Sequence, residues 1–197
     1  FGSRFVIRYD LRDTGESVSY EPGAPPYSGQ DLVADAAGVL DVLRVDRAHV
    51  VGISMGGGIV QHLALDHADR VASLTLISTS PGGPGLPPMS DELRARFAQP
   101  VAEPDWGDRQ AVVDYIVEDA RGYAGSVTVD EEEMRALAGR IVDRTANIES
   151  TMTNHGILEG GDPLRPRLSE LTTPTLVLHG TEDPLFPYGH AEALAAE

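Results

Sequence analysis

The sequence predicts an α/β fold: a mostly parallel sheet flanked by helices, with a helical lid inserted between two strands. Three observations carry this. Near-continuous apolar runs at His49–Ile53, Val71–Ile77 and Thr175–Leu178 read as strands covered on both faces. Segments with a helical apolar period separate them, which indicates parallel crossovers. The stretch from Pro81 to Thr173 is too long for a simple crossover and must hold structure of its own.

In chain order, Phe5-Val6-Ile7-Arg8-Tyr9 is a β-branched and aromatic run, read as the first strand and ended by a polar turn over 10–19. Gln30 to Val45 places apolar residues at 32, 33, 36, 39, 40 and 43, one face of a helix. The run at 49–53 is too short for a helix; Ile59, Val60 and Leu63 then begin a second helical face. The insert opens with the Gly/Pro-rich Pro81 to Pro88 and shows helical stretches near 90–98, 108–120 and 130–150, with Ser90, Asp108 and Asp130 as N-caps. Asp130-Glu131-Glu132-Glu133 fits a cation site, or a helix start whose carboxylates face the positive end of the dipole. The expected division is a core of 1–80 and 167–197 and a cap of 81–166 over the carboxyl edge of the sheet.

Composition bounds the function. The 197 residues carry 15 basic and 31 acidic side chains, a formal charge of −16, and 41% apolar residues, enough for one domain with a core. Every basic residue is Arg and none clusters, so nucleic acid is not an expected partner. Cysteine is absent, which removes disulfides, thiolate metal sites and a cysteine nucleophile. No apolar run approaches the ~18–20 residues of a membrane span. No cofactor and no metal is expected, and the expected location is the cytoplasm, with any targeting signal outside this sequence. Phe1 stands where an initiator Met would, Phe5 begins a strand without lead-in, and Ala191 to Glu197 reads as a helix without a cap. A fragment is expected.

The chemistry sits in Gly52-Ile53-Ser54-Met55-Gly56. This is G-x-S-x-G after a strand and before a helix, where a sharp turn strains the serine backbone and exposes its hydroxyl. Strand and helix come close there, so small neighbours are required; Gly52, Gly56, Gly57 and Gly58 supply them. The N–H of Met55, at the helix start, is the candidate oxyanion donor. A serine needs a base oriented by a carboxylate, in the chain order Ser, acid, His on such a fold. His179-Gly180-Thr181-Glu182-Asp183-Pro184 offers the acid at the same sheet edge, as Asp183 or Glu182; the alternative is an ordinary Asp-Pro turn. His190 follows Asp183 by only seven residues and either lines the pocket or begins a helix. His49, His62, His67, His155 and His179 lack the order or the position of a base. Trp106, Tyr115 and Met152 are candidate pocket lining or lid core.

Tyr9 to Ser17, Val45 to Gly57 and Pro174 to Pro184 together resemble the α/β-hydrolase superfamily, and Arg12-Asp13-Thr14-Gly15-x-Ser17 with Leu65-Asp66-His67 is similar to its aclacinomycin methylesterase-like group. The resemblance implies an α/β-hydrolase fold, with Ser54 as nucleophile, Asp183, favoured by the family's G-x-x-D-P acid loop, as acid and the Met55 N–H as one oxyanion donor. Asp10, Arg12 and Asp13 hold the loop after the first strand, and Arg12 is available to a carboxylate. A Gly-rich oxyanion turn, an inner strand between the runs at 5–9 and 49–53, and a C-terminal Gly-His have no counterpart. The catalytic His is therefore expected beyond residue 197, the chain as it stands is expected to be inactive, and its parent is expected to be active.

The expected reaction is hydrolysis of a small-molecule carboxylic ester through an acyl-enzyme. The alternatives are other chemistry on the same fold (a peptidase, a C–C hydrolase or a cofactor-free haloperoxidase) and a non-enzymatic binding protein. Ser at position 54 disfavours the dehalogenase and epoxide-hydrolase branches, which carry Asp there.

Overall fold

A computed structural model describes residues 5–99, 102–159 and 161–197. The chain divides into two compact units, one formed by Phe1–Ser28, Glu103–Val117 and Asp130–Glu159, the other by Gly29–Ala102, Glu118–Val129 and Gly160–Glu197.

The second unit holds the sheet. Strands β1 (Ala48–Ile53), β2 (Val71–Ile77) and β3 (Thr175–Leu178) run parallel in that order. Ile53, Ile77 and Leu178 lie in one row, so all three strands end level. Helix α1 (Gly29–Val42) buries Leu32, Val33, Ala36, Ala37 and Leu40, an i, i+4, i+8 stripe. Arg44 at φ 55° ends the turn, with the N–H of Val45 donating back to Leu40 O at 2.8 Å. Helix α2 (Met55–Asp66) packs on α1, β1 and β2 and buries Ile59, Leu63 and Ala64. Leu74 and Leu76 are buried in the core. Burying such a side chain stabilises by about 1.5–3 kcal/mol.

The opposite sheet face differs from the expectation. Val51 and Ile53 share it with Leu176 and Leu178, and both β1 residues are 61% exposed. The apolar runs have the composition of strands covered on both faces, but the described residues cover one. The expected strand at Phe5–Tyr9 does not form: among the described residues this run pairs with no strand, and Phe5 is 81% exposed. β-propensity is expressed only against a neighbouring strand.

Three of the insert's helices show the expected caps. Ser90 Oγ accepts the N–H of Leu93 at the head of α3 (Asp91–Phe97). Asp108 accepts from the N–H of Gln110 at 2.9 Å at the head of α4 (Arg109–Arg121). In the first unit, Asp130 accepts the N–H of Glu133 and starts α5 (Glu131–Arg144), so the acidic run is a helix start. The single helix expected over 130–150 is two. Thr145 turns extended, and Asn147 caps α6 (Ile148–Thr153) by accepting from the N–H of Ser150. Val113, Val117 and Ala138 form the α4–α5 core with Ile116, Met134 and Val142. Trp106 packs edge-on against Tyr115 at 5.7 Å.

The 10–27 segment of this unit is held by buried polar groups. Asp13 is buried and accepts from the Tyr27 hydroxyl (2.6 Å), the Asn154 amide (2.8 Å) and the N–H of Tyr20 (2.6 Å). Burial and the Asp13 carboxylate push the Tyr27 phenol well above its usual range. Asp10 takes both terminal nitrogens of Arg144, at 2.9 and 2.7 Å, which lowers its pKa. The Arg12 guanidinium lies 5.5 Å over the Tyr27 ring.

Candidate active site

Ser54 stands between β1 and α2 with φ 51° and ψ −119°. A non-Gly residue there is strained, and the surroundings over-determine it. Its N–H donates to Ile77 O at 2.9 Å, continuing the ladder. Its carbonyl accepts from the N–H groups of Gly57 (2.9 Å) and Gly58 (3.3 Å) and from the Thr79 hydroxyl (2.8 Å). Met55 and Gly56 open α2, where N–H groups have no carbonyl one turn earlier to bond.

The glycine requirement is narrower than expected. A Cβ on Gly52 would lie 2.5 Å from Val60 Cγ2 and closer still to the Gly56 carbonyl oxygen. One on Gly57 would lie 2.5 Å from Thr79 Cβ. Gly56 and Gly58 have nothing within 4 Å, so the close approach involves two of the four.

Asp183 lies in the loop after β3. Its Oδ1 accepts the N–H groups of Leu185 (2.9 Å) and Phe186 (2.8 Å), an Asx turn that fixes the carboxylate. Its Oδ2 is 3.6 Å from His179 Nε2. That nitrogen sits 2.6 Å from Phe186 O; a carbonyl only accepts, so Nε2 carries a proton. The His179 side chain is 2% exposed, and its buried Nδ1 meets no hydrogen-bond partner among the described residues. Phe186 is thus held at both its N–H and its carbonyl. Glu182 is exposed in the same loop.

His190 is buried at the start of α7 (Gly189–Ala196). Its Nε2–H donates to Pro87 O at 2.8 Å, and Nδ1 lies 2.8 Å from Ser80 Oγ. Both ring nitrogens therefore tie α7 to the segment after β2. Elsewhere, His49 contacts Ser73 Oγ and His155 donates to Arg12 O. His62 lies on α2, where burial lowers its pKa, and His67 ends that helix. Trp106 belongs to the other unit, packed on Tyr115.

The sequence carries no signal for Thr79, which follows a strand with no motif of its own; His179, whose position in the sequence does not qualify it as a base, is buried beside Asp183.

Known proteins agree with this architecture. The family model described as alpha/beta hydrolase fold matches residues 3–197. Rhodomycin D methylesterase DnrP of Streptomyces peucetius is 34% identical over 217 residues, covering 97% of this chain and 70% of its own length. Rhodomycin D methylesterase DauP of Streptomyces sp. (strain C5) is 32% identical over 212 residues, with the same coverage of 97% and 70%. The solved enol-lactonase of Burkholderia xenovorans LB400 superposes with a TM-score of 0.66 at 25% identity, covering 95% of this chain and 66% of that one. The chain thus spans about two thirds of the length of these proteins. No helix among the described residues is long and apolar enough to cross a membrane. With a strained serine between strand and helix, a parallel sheet and a family match over nearly its whole length, the chain belongs to the α/β-hydrolase family.

Proposed function

We propose that this chain carries the nucleophile and the acid of a serine hydrolase that cleaves a small-molecule carboxylic ester. The observation that carries this reading is the Ser54 backbone, φ 51° at the junction of β1 and α2. That conformation is costly, and an ordinary strand-to-helix connection has no use for it. The ester class is supported by two methylesterases at 32% and 34% identity.

In the proposed reaction, Ser54 Oγ attacks the ester carbonyl carbon while its proton passes to an imidazole. The Met55 N–H holds the tetrahedral oxyanion, the alkoxide leaves with the imidazole proton, and water then hydrolyses the acyl-Ser54 ester. Asp183 orients the imidazole. Its Oδ1 is engaged by two backbone N–H groups, which leaves Oδ2 for the ring N–H of the base. His190 follows Asp183 in the required order, but both its nitrogens have protein partners. His179 is near Asp183, but it is buried and donates to Phe186 O. The reading therefore assigns the base to a histidine beyond residue 197.

The test is p-nitrophenyl ester hydrolysis by the complete encoded protein and its Ser54→Ala variant. Loss of a triad member leaves only ~10³–10⁴-fold catalysis over water. Turnover that survives Ser54→Ala at the native rate rejects the reading.

A further inference from the structure

We propose that Thr79 is a positioning residue that aims the Met55 N–H at the oxyanion. The inference rests on the nucleophile reading of Ser54 and adds a residue to it. Thr79 is 2% exposed and lies two residues past β2. Its hydroxyl donates to the Ser54 carbonyl at 2.8 Å. Among the described residues no peptide bond is cis, so the 54–55 peptide is a trans plane whose C=O and N–H point in opposite directions. Whatever fixes the Ser54 carbonyl therefore fixes the Met55 N–H.

The helix alone fixes it weakly. The Gly57 and Gly58 N–H groups also donate to this carbonyl, but they belong to a first turn with three glycines in succession. Glycine gives the backbone its widest freedom. Thr79 comes from a different element and is itself anchored. Ser78, at φ 43°, turns the chain after β2, and its N–H donates to Leu178 O at 3.0 Å, one row beyond the β2–β3 ladder. The Thr79 side chain also fills the space where a Cβ of Gly57 would sit. The strained ψ of Ser54 is thus referred to the rigid end of the sheet, the arrangement a preorganised oxyanion donor requires.

The experiment compares Thr79→Val, which keeps the shape and loses the hydroxyl, with Thr79→Ser, which keeps the hydroxyl. Thr79→Ala and Ser54→Ala complete the set in the complete encoded protein. Removing an oxyanion donor outright costs ~10²–10³-fold in kcat, so misaiming one is expected to cost about 10-fold. Thr79→Val should lower kcat by about that factor, leave KM within about two-fold, and weaken a boronic-acid transition-state analogue in parallel with kcat. Thr79→Ser should restore most of kcat. A purely structural role would lower the melting temperature without moving analogue affinity. If Thr79→Val does not fold, Thr79→Ala gives the same reading. Native kcat in the folded Val or Ala variant, or an equal loss in Thr79→Ser, overturns the inference. Native turnover in Ser54→Ala instead overturns the nucleophile reading on which it rests.

Discussion

The N–H of Ser54 donates to the carbonyl of Ile77 at 2.9 Å, so the β1–β2 ladder runs one residue past β1 before the chain reverses into α2. The strained residue is held from the sheet side by this bond and from the helix side by Gly57 and Gly58. Space for the reversal comes from Gly52 and Gly57, whose absent Cβ atoms are replaced by Val60, the Gly56 carbonyl and Thr79.

Gly52→Ala should therefore destabilise by about 1–3 kcal/mol, the usual cost of overpacking, because the obstacle includes backbone. Gly58→Ala meets open space in a helix and should stabilise by roughly 0.5–1 kcal/mol. Urea denaturation midpoints of the two variants test the pair, and equal effects of the same sign would contradict the geometry.

Asp183→Asn should keep the Asx turn, because an amide oxygen can still accept from Leu185 and Phe186. In the proposed mechanism it removes the charge that would stabilise the imidazolium, so kcat should fall by about 10⁴-fold with little change in melting temperature. Asp183→Ala should lose both activity and several degrees of melting temperature. Steady-state kinetics beside thermal melts separate the two, and native kcat in Asp183→Asn would remove Asp183 as the acid.

The elbow and the strands at 48–53, 71–77 and 175–178 were legible because each is a local pattern: an apolar run, a turn, a helix start. The caps Ser90 and Asp130 were legible for the same reason, since a cap and the N–H it accepts lie three residues apart. What local pattern does not carry is long-range pairing. Phe5–Tyr9 has strand composition, but strand formation depends on a neighbour. Asp13 meets Asn154 across 141 residues, and Thr79 reaches Ser54 across 25. Neither pair leaves a trace in spacing. The break at Thr145–Asn147 was hidden by a continuous helical period, although Asn147 is a recognisable cap residue.

His62 supplies a pH prediction. Burial on α2 lowers its pKa below the unfolded value of 6.5. As pH falls below about 6.5, the unfolded chain takes up this proton before the folded one. The contribution is fully present above that pH and is lost on acidification toward the folded pKa. Melting temperatures between pH 7.5 and 5 should therefore fall less steeply in His62→Gln than in the parent. Parallel curves would show that His62 is not a source of the acid sensitivity.

The most direct test of the central claim is covalent labelling of the complete encoded protein with a fluorophosphonate, followed by peptide mass spectrometry. An activated serine reacts by losing fluoride and gaining a phosphonyl group on Oγ, whereas the other serines of the chain are inert. One adduct per chain is expected, on the peptide containing Ser54, with ester hydrolysis lost in proportion to labelling. An adduct on a different residue, or undiminished hydrolysis once Ser54 is fully labelled, would contradict it.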